Sequence, residues 1–252
     1  MDKAILTAIG IGGATVIGAI FGFIFKKPSH KFNDIVLSFA AGVMLTAAIM
    51  GLIIPSLELG GKFGLLTTVA GIFAGAMFLN LVDKLVPHLH KMTGVGEEAH
   101  PETTERLNKI LLFVIAIAIH NLPEGIAAGV GFGTGDVSGA FSVAVGIALQ
   151  NIPEGMVIIA PMMAAGMKSS RVFVIALMTG VVEVVGTFIG YFAASISEAV
   201  LPFALAFAGG TMLYVISDEM IPETHAHGNE RGATYAFLVG FSLMLALDFL
   251  IG

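Results

Sequence analysis

Two nearly identical stretches of sequence decide the fold: residues 120–125 read HNLPEG and residues 150–155 read QNIPEG. Each stretch places a glutamate next to a proline inside a long apolar run. An ionised side chain near the middle of a bilayer costs about 2.5–3.5 kcal/mol even on insertion-based scales, so such residues are rare and mark functional sites. The repeated stretch therefore predicts two broken membrane helices that share a polar site.

The composition of the 252-residue chain agrees with a membrane location. Hydrophobic residues make up 56% of the chain and charged residues 12%, and the mean hydropathy is +0.94. Soluble domains carry about 25% charged residues, so an ordinary soluble domain and a disordered chain are both excluded. The absence of cysteine excludes disulfides and thiolate zinc sites, and a net charge of −6 offers no basic surface for nucleic acid.

Runs of about 20 mostly apolar residues predict membrane helices. We find eight such runs and expect an all-α integral membrane protein with a single transmembrane domain over residues 1–252. The predicted spans are 4–25, 35–57, 63–82, 110–132, 137–167, 172–197, 200–217 and 232–251. Glycines four residues apart in these runs predict close helix packing, and the pairs are Gly18/Gly22, Gly71/Gly75, Gly125/Gly129 and Gly186/Gly190.

The distribution of basic residues predicts the orientation. Ten of the 12 Lys and Arg residues fall in alternate loops on one side, and only Lys3 and Lys62 fall on the other. Basic loops stay in the cytoplasm, so both termini are expected on the extracytoplasmic side, as an even number of helices requires. We expect a multi-pass protein of the cell inner (plasma) membrane, in contact with the lipid bilayer. Whether it forms a homodimer is left open.

A third glutamate, Glu183, lies in the sixth predicted span, at a depth similar to that of Glu124 and Glu154. No Lys or Arg occurs within any predicted span. The charge that balances these carboxylates must therefore come from protons or from a bound cation. Residues four apart share a helix face, so His120 lines up with Glu124 and Gln150 with Glu154. This alignment predicts a site between the fourth and fifth helices at the bilayer midplane.

The donor atoms of this site point to a metal ion. Imidazole, carboxylate and amide oxygen together suit a borderline divalent metal such as Zn²⁺, Fe²⁺ or Mn²⁺, whereas an alkali cation needs no imidazole. The alternative is that the glutamates are isolated proton acceptors in ordinary membrane helices that contain Pro and Gly. A second copy of the motif and a third carboxylate at matching depth argue against that alternative.

The order HNLPEG then QNIPEG, in an eight-helix chain with both ends outside, resembles the ZIP (Zrt/Irt-like) divalent metal transporters. The chain is most similar to the bacterial GufA-like branch of that family, and the resemblance covers essentially its whole length. It implies a transporter, not an enzyme, that moves a divalent transition metal into the cytoplasm. Zinc is the expected substrate, with iron, manganese and cadmium as further candidates.

The resemblance also implies two adjacent metal positions. The first is formed by motif residues and one methionine of the second helix, which here match His120, Glu124, Gln150, Glu154 and Met44. The second makes a binuclear centre in which glutamates bridge, and its residues match Asn121, Asn151, Glu124, Glu154 and Glu183. Some relatives have Asp where Asn151 stands, and many have Pro where this chain has Val184.

Residues nearer the helix ends are candidates for metal entry and exit. Glu58 resembles an entrance carboxylate, with a solvated loop charge as the alternative. A relay at the cytoplasmic exit is expected from five residues: Asp218, Glu219, Glu223, His225 and His227. In relatives a His precedes the Glu that matches Glu219, so Asp218 departs from the pattern. The other loop histidines are either solvated or loosely metal-binding, and they are His88, His90 and His100.

Three other activities are weighed against uptake by a carrier. An intramembrane metallohydrolase also buries His and Glu, but the HExxH motif is absent from the sequence. A metal channel would use the same ligands as a carrier. A proton-coupled metal exporter would differ in the direction of transport. The sequence alone excludes neither of the last two.

Overall fold

The computed structural model describes residues 2–25, 29–92, 121–132, 137–164, 166–196 and 199–251. Every regular element within these ranges is helical, so the all-α prediction is confirmed. In chain order the helices are α1 Asp2–Ile24, α2 His30–Leu59, α3 Gly64–Met92, α4 residues 121–131, α5 Val137–Val157, α6 Ser169–Ile196, α7 Leu201–Thr224 and α8 Glu230–Ile251.

Seven helices of the described part are long and apolar enough to cross a membrane. The remaining one, α4, is the described portion of the predicted fourth span, 110–132, of which residues 110–120 lie outside the described residues. The eighth span and the side on which the termini lie therefore stay predictions.

The predicted fifth span, 137–167, differs from the structure at its end. Helix α5 ends at Val157, and a separate short helix, Ile159–Ala164, follows it. Pro161 has no backbone N–H to donate to the carbonyl of Val157, which interrupts the helical bonding at this point. A hydropathy pattern cannot detect this break because the residues on both sides of it are apolar.

Helices α2 and α7 each contain a five-residue π-helical turn, Ile49–Ile53 and Ile216–Met220. In both helices an Ile-Pro pair follows the turn, and the N–H of that isoleucine bonds the carbonyl at the first position of the turn. A proline inside a helix donates no N–H and crowds the preceding turn, and a wider turn relieves the crowding. Such turns often occur at functional sites, and the turn in α7 contains Asp218 and Glu219.

Glycines bring the helices into backbone contact. At every member of the four predicted glycine pairs, an added Cβ atom would lie 2.1–2.5 Å from an atom of another helix. The pair on α1 faces α5 and the short helix after it, the pair on α3 faces α7, and the pairs on α4 and α6 face each other. The packing role predicted for these glycines is confirmed.

The same contacts sort the described helices into two groups. Helix α1 packs on α5 and α6, and α4 packs on α6, which defines the α1/α4/α5/α6 group. In the other group α2 packs on α8 and α3 packs on α7. Across the boundary, α2 and α5 meet through a side chain, because Val143 fills the space beside Gly51. The carboxylates and amides of the repeated motifs all belong to the α1/α4/α5/α6 group.

We expect Gly18→Ala to destabilise the protein, because its Cβ would lie 2.1 Å from the carbonyl oxygen of Ile152. Overpacking of this kind costs about 1–3 kcal/mol, so the melting temperature of the purified protein in detergent should fall by several degrees. Gly13→Ala is the control on the same helix, since no atom lies within 4 Å of its added Cβ. Equal melting temperatures for the two variants would contradict the close contact between α1 and α5.

Candidate metal centre

The two repeated motifs meet through Glu124 of α4 and Gln150 of α5. Both side chains are buried, at 1% and 0% exposure. The Nε2 amide of Gln150 donates a 2.7 Å hydrogen bond to Oε1 of Glu124. Gly125 lets α4 approach α6 so closely that an added Cβ would lie 2.2 Å from the carbonyl oxygen of Glu183. The local sequence thus brings carboxylates and an amide of three helices together in the apolar interior.

Glu183 of α6 accepts hydrogen bonds from three other helices. Thr15 of α1 donates from Oγ1 to Oε1 at 2.7 Å, and Asn151 of α5 donates from Nδ2 to Oε2 at 2.7 Å. Asn121 of α4 also donates from Nδ2 to Oε1 in a short bond. All four side chains are buried. One carboxylate is therefore the point on which α1, α4, α5 and α6 converge.

Several oxygens near this point have no hydrogen-bond partner among the described residues. They belong to four motif side chains, as Oδ1 of Asn121, Oε2 of Glu124, Oε1 of Gln150 and Oδ1 of Asn151. Across the described ranges, one other buried side-chain oxygen is in this state, in Asn33. A buried polar atom without a partner costs about 1–3 kcal/mol. Four such acceptors in one cluster are suited to a bound cation, which would satisfy them.

Among the described residues, the hydrogen bonds that Glu124 and Glu183 accept come from amide and hydroxyl groups. The lysines and arginines whose burial is described are all exposed, namely Lys31, Lys62, Lys84, Lys168, Arg171 and Arg231.

Within the described ranges, His, Asp and Glu alone do not form a three-ligand metal cluster. A metal bound here would therefore need further ligands, and the amide oxygens without a partner among the described residues could supply them. His120 falls outside the described residues, so its place one turn before Glu124 stays a prediction.

Met44 of α2 is buried at 1% exposure. It belongs to an apolar cluster that includes Ala127 of α4 and Ile147 of α5. Ala127 follows Glu124 by one turn, and Ile147 precedes Gln150 by one turn. Met44 therefore belongs to the same apolar cluster as residues that lie one turn from each motif.

Glu154 differs from Glu124 because it is partly exposed and lines a cavity. The cavity has a volume of about 530 Å³, and its polar lining includes Asp218, Glu219 and Glu223 of α7. Three of the five predicted exit residues therefore share one cavity with a motif glutamate. Glu58, the predicted entrance residue, is exposed near the end of α2.

The two histidines that the sequence predicts at the exit are His225 and His227, and both have bonding partners other than the exit carboxylates. Nδ1 of His227 lies 2.9 Å from Oδ1 of Asp34, whose Oδ2 accepts a 2.9 Å hydrogen bond from Asn229. Nδ1 of His225 lies 2.9 Å from the carbonyl oxygen of Ile221. Asp34 is buried near the start of α2. The bonds from His227 and Asn229 to Asp34 therefore connect the segment between α7 and α8 to that helix.

Sequence reasoning missed Thr15 and Asp34 as parts of polar networks. Thr15 is one of two threonines in the otherwise apolar middle of α1, and nothing in its spacing relates it to Glu183. Asp34 precedes a predicted span and resembles an ordinary flanking charge. A signal for Thr15 was its position between glycines at which another helix could approach.

A chain with seven membrane-length helices in its described part, every one of them α-helical, is a polytopic membrane protein. Within the same ranges, the buried carboxylates of Glu124 and Glu183 accept hydrogen bonds from neutral donors. The comparisons with known proteins narrow this class. A family model described as ZIP zinc transporter matches residues 96–248.

Three similar proteins each align with nearly the whole chain. The zinc transporter GufA of Myxococcus xanthus is 41% identical over 258 residues, covering 100% of both chains. The zinc transporter ZIPB of Bordetella bronchiseptica is 34% identical, covering 95% of this chain and 78% of that protein. The zinc transporter ZIP11 of Homo sapiens is 30% identical, covering 99% of this chain and 97% of that protein.

The chain belongs to the ZIP family. The resemblance found in the sequence, including the GufA-like branch, is thereby confirmed. The protein is a multi-pass membrane transporter of divalent metal, and it is not an enzyme.

We expect Gln150→Leu to weaken zinc binding by at least about tenfold, because it removes both the donor to Glu124 and one acceptor oxygen of the cluster. The measurement is competitive titration of the purified protein with zinc and a chelator. Asn80→Leu is the matched control, since Asn80 is an amide on α3 that donates to the hydroxyl of Tyr214. Equal zinc affinity in the two variants would show that Gln150 is not at the metal centre.

Proposed function

We propose that the protein carries zinc into the cytoplasm through the inner membrane, and that the ion binds at the meeting point of α4 and α5. The ligands are expected from the repeated motifs and from α2: His120, Glu124, Gln150, Glu154 and Met44. The observation that carries this proposal is the buried carboxylate of Glu124, which has one oxygen without a partner among the described residues and receives no hydrogen bond from a basic side chain there.

The donor set supports zinc as the substrate. Carboxylate and amide oxygens alone would suit Mg²⁺ or Ca²⁺, while an imidazole and a thioether favour borderline and softer ions. Iron, manganese and cadmium share this preference in part and are the competing ions to test. The names of the relatives, all of them zinc transporters, also support zinc.

The cavity beside Glu154 supports release to the cytoplasm. Asp218, Glu219 and Glu223 line it together with Glu154, and they lie near the end of α7 that the basic loops predict to be cytoplasmic. Weakly binding carboxylates along such a path would draw the ion from the buried ligands without trapping it. A metal exporter would use the same path for entry of the ion from the cytoplasm. Measuring zinc flux in a defined direction distinguishes an importer from an exporter.

The burial of the site supports a carrier over a channel. Glu124 and Gln150 are almost fully buried, while Glu154 reaches the cavity on one side. A site that opens to one side at a time gives saturable uptake with a steep temperature dependence, whereas a channel does not. The metal ion crosses the membrane chemically unchanged, so transport makes and breaks no covalent bond.

The family resemblance also implies a second metal position beside the first, which is the alternative to a single-ion site. It would use the carboxylates of Glu124, Glu154 and Glu183 as bridges, with Asn121 and Asn151 as oxygen ligands. The unpartnered oxygens of both asparagines are available for this role. The hydrogen bonds that already hold Glu183 act against it.

We expect His120→Ala and Glu124→Ala each to abolish zinc uptake while the protein still inserts into the membrane. Removing an ionisable group from a membrane helix removes an insertion penalty, so the folded amount should be preserved. The measurement is uptake of radioactive zinc into proteoliposomes, normalised to inserted protein.

The control for these two variants lacks all five loop histidines: His88, His90, His100, His225 and His227. Its uptake rate should be reduced only modestly. If the loop variant were inactive and His120→Ala retained nearly normal uptake, the site at the middle of the bilayer would be wrong.

We expect the triple variant Asp218→Asn, Glu219→Gln and Glu223→Gln to lower the maximal uptake rate several-fold, because the ion loses its carboxylates on the way out. Zinc affinity of the purified protein should stay unchanged, since these residues lie outside the buried site. Glu230→Gln is the control, an exposed acidic residue at the start of α8. An unchanged maximal rate in the triple variant would remove the exit role.

A further inference from the structure

Glu183 has the richest set of hydrogen bonds of the buried glutamates in the described ranges. Its Oε1 accepts from Thr15 and Asn121, and its Oε2 accepts from Asn151. A carboxylate has about four acceptor positions in all, so three donors occupy most of them. Glu124, in contrast, accepts one bond on Oε1 and has no partner for Oε2 within the described residues.

This difference decides which carboxylate a metal ion can reach at least cost. Glu183 has one acceptor position without a described donor, on Oε2, so a zinc ion that bound this carboxylate more fully would displace amide or hydroxyl donors. Those donors are buried, and a buried donor that is left without an acceptor is destabilising. Binding to Oε2 of Glu124 displaces no donor that the structure describes.

The three donors also orient the asparagines. Asn121 and Asn151 each give the NH₂ end of the amide to Glu183, and the Oδ1 end of each amide has no partner among the described residues. Partners behind a ligand commonly orient it in this way in metal sites. Glu183 can therefore act on the metal centre through the two amides without touching the ion.

Thr15 completes this arrangement from α1. Its hydroxyl bonds the carboxylate of Glu183 across 2.7 Å, whereas Thr179 and Thr187 of α6 bond carbonyls of their own helix. The contact depends on close packing, since an added Cβ on Gly155 of α5 would lie 2.2 Å from the carbonyl oxygen of Thr15.

We propose that Thr15 is a positioning residue of the transport site: with Asn121 and Asn151 it holds Glu183 as a hydrogen-bonded anchor, so that one zinc ion binds on the Glu124 side and Glu183 does not ligate it. The inference rests on the proposed function and assigns the stoichiometry of the same site. Asn151 is central to it, because an Asp at that position would replace a donor to Glu183 with a second carboxylate.

The test compares Thr15→Val, which keeps the side-chain shape and removes the hydroxyl, with Thr15→Ser, which keeps the hydroxyl. In Thr15→Val, Glu183 lacks one donor and becomes available to a cation. We expect more than one zinc per protein by elemental analysis of zinc-equilibrated, purified protein. We also expect KM and kcat for zinc uptake to fall together, each by about tenfold, because the ion is held more tightly and released more slowly.

Thr187→Val is the matched control. Thr187 is buried one turn after Glu183 and bonds its backbone carbonyl rather than its carboxylate. Wild type, Thr15→Ser and Thr187→Val should each bind one zinc with similar KM. A purely structural role for Thr15 would lower the amount of folded protein but leave KM and the zinc count unchanged, and that result would overturn the proposal.

Asn151→Asp provides an independent test, because it removes a donor to Glu183 and adds a carboxylate beside it. We expect its zinc count to rise from one to two. Two zinc ions in the wild type, with one lost in Glu183→Gln, would show that Glu183 already ligates metal and would overturn the proposal. A wild-type protein that neither binds nor transports zinc would instead refute the proposed function.

Discussion

The structure depends on one constraint: within the described residues, the buried glutamates where the repeated motifs meet are satisfied by neutral donors. Glu183 meets this constraint with three neutral donors. Glu124 meets it only in part, with a single amide and an oxygen left over among the described residues. This difference between two buried glutamates in the same group of helices is the reason why we propose Glu124, rather than Glu183, as a ligand of a positively charged cargo.

Backbone contact makes this cluster possible. Short side chains such as those of Thr15 and the asparagines reach a carboxylate on another helix only when the helix axes are close. Gly125 and Gly155 supply that closeness, since an added Cβ on either would overlap a carbonyl oxygen of a partner helix. The glycines next to the motif glutamates are therefore part of the site, because they set the distances over which its hydrogen bonds form.

The cavity beside Glu154 lies where the two groups of helices meet. Its lining comes from α2, α5 and α7, whereas the donors to Glu183 lie on α1, α4 and α5. The contact across this boundary relies on side chains, as between Val143 and Gly51, rather than on paired backbones.

Much of this architecture could be predicted from the sequence because its signals are strong. Length and apolarity of the runs predicted the helices, and the repeated motif predicted that Glu124 and Gln150 would lie together. Thr15 could not be found in this way, since a threonine in a membrane helix normally bonds its own backbone. The end of α5 at Val157 depends on the bonding geometry around a proline, which hydropathy does not report. The orientation of the Asn121 and Asn151 amides could not be predicted from the sequence either, because both amides donate to Glu183, which lies on a different helix.

X-ray absorption at the zinc edge of zinc-loaded protein tests the central claim most directly. The account predicts a first shell dominated by oxygen and nitrogen donors at about 2.0–2.1 Å, with the multiple-scattering signature of one imidazole and no metal–metal distance. A shell with two or more imidazoles would place zinc among the loop histidines and contradict the account. A short metal–metal distance would contradict the assignment of Glu183 as an anchor.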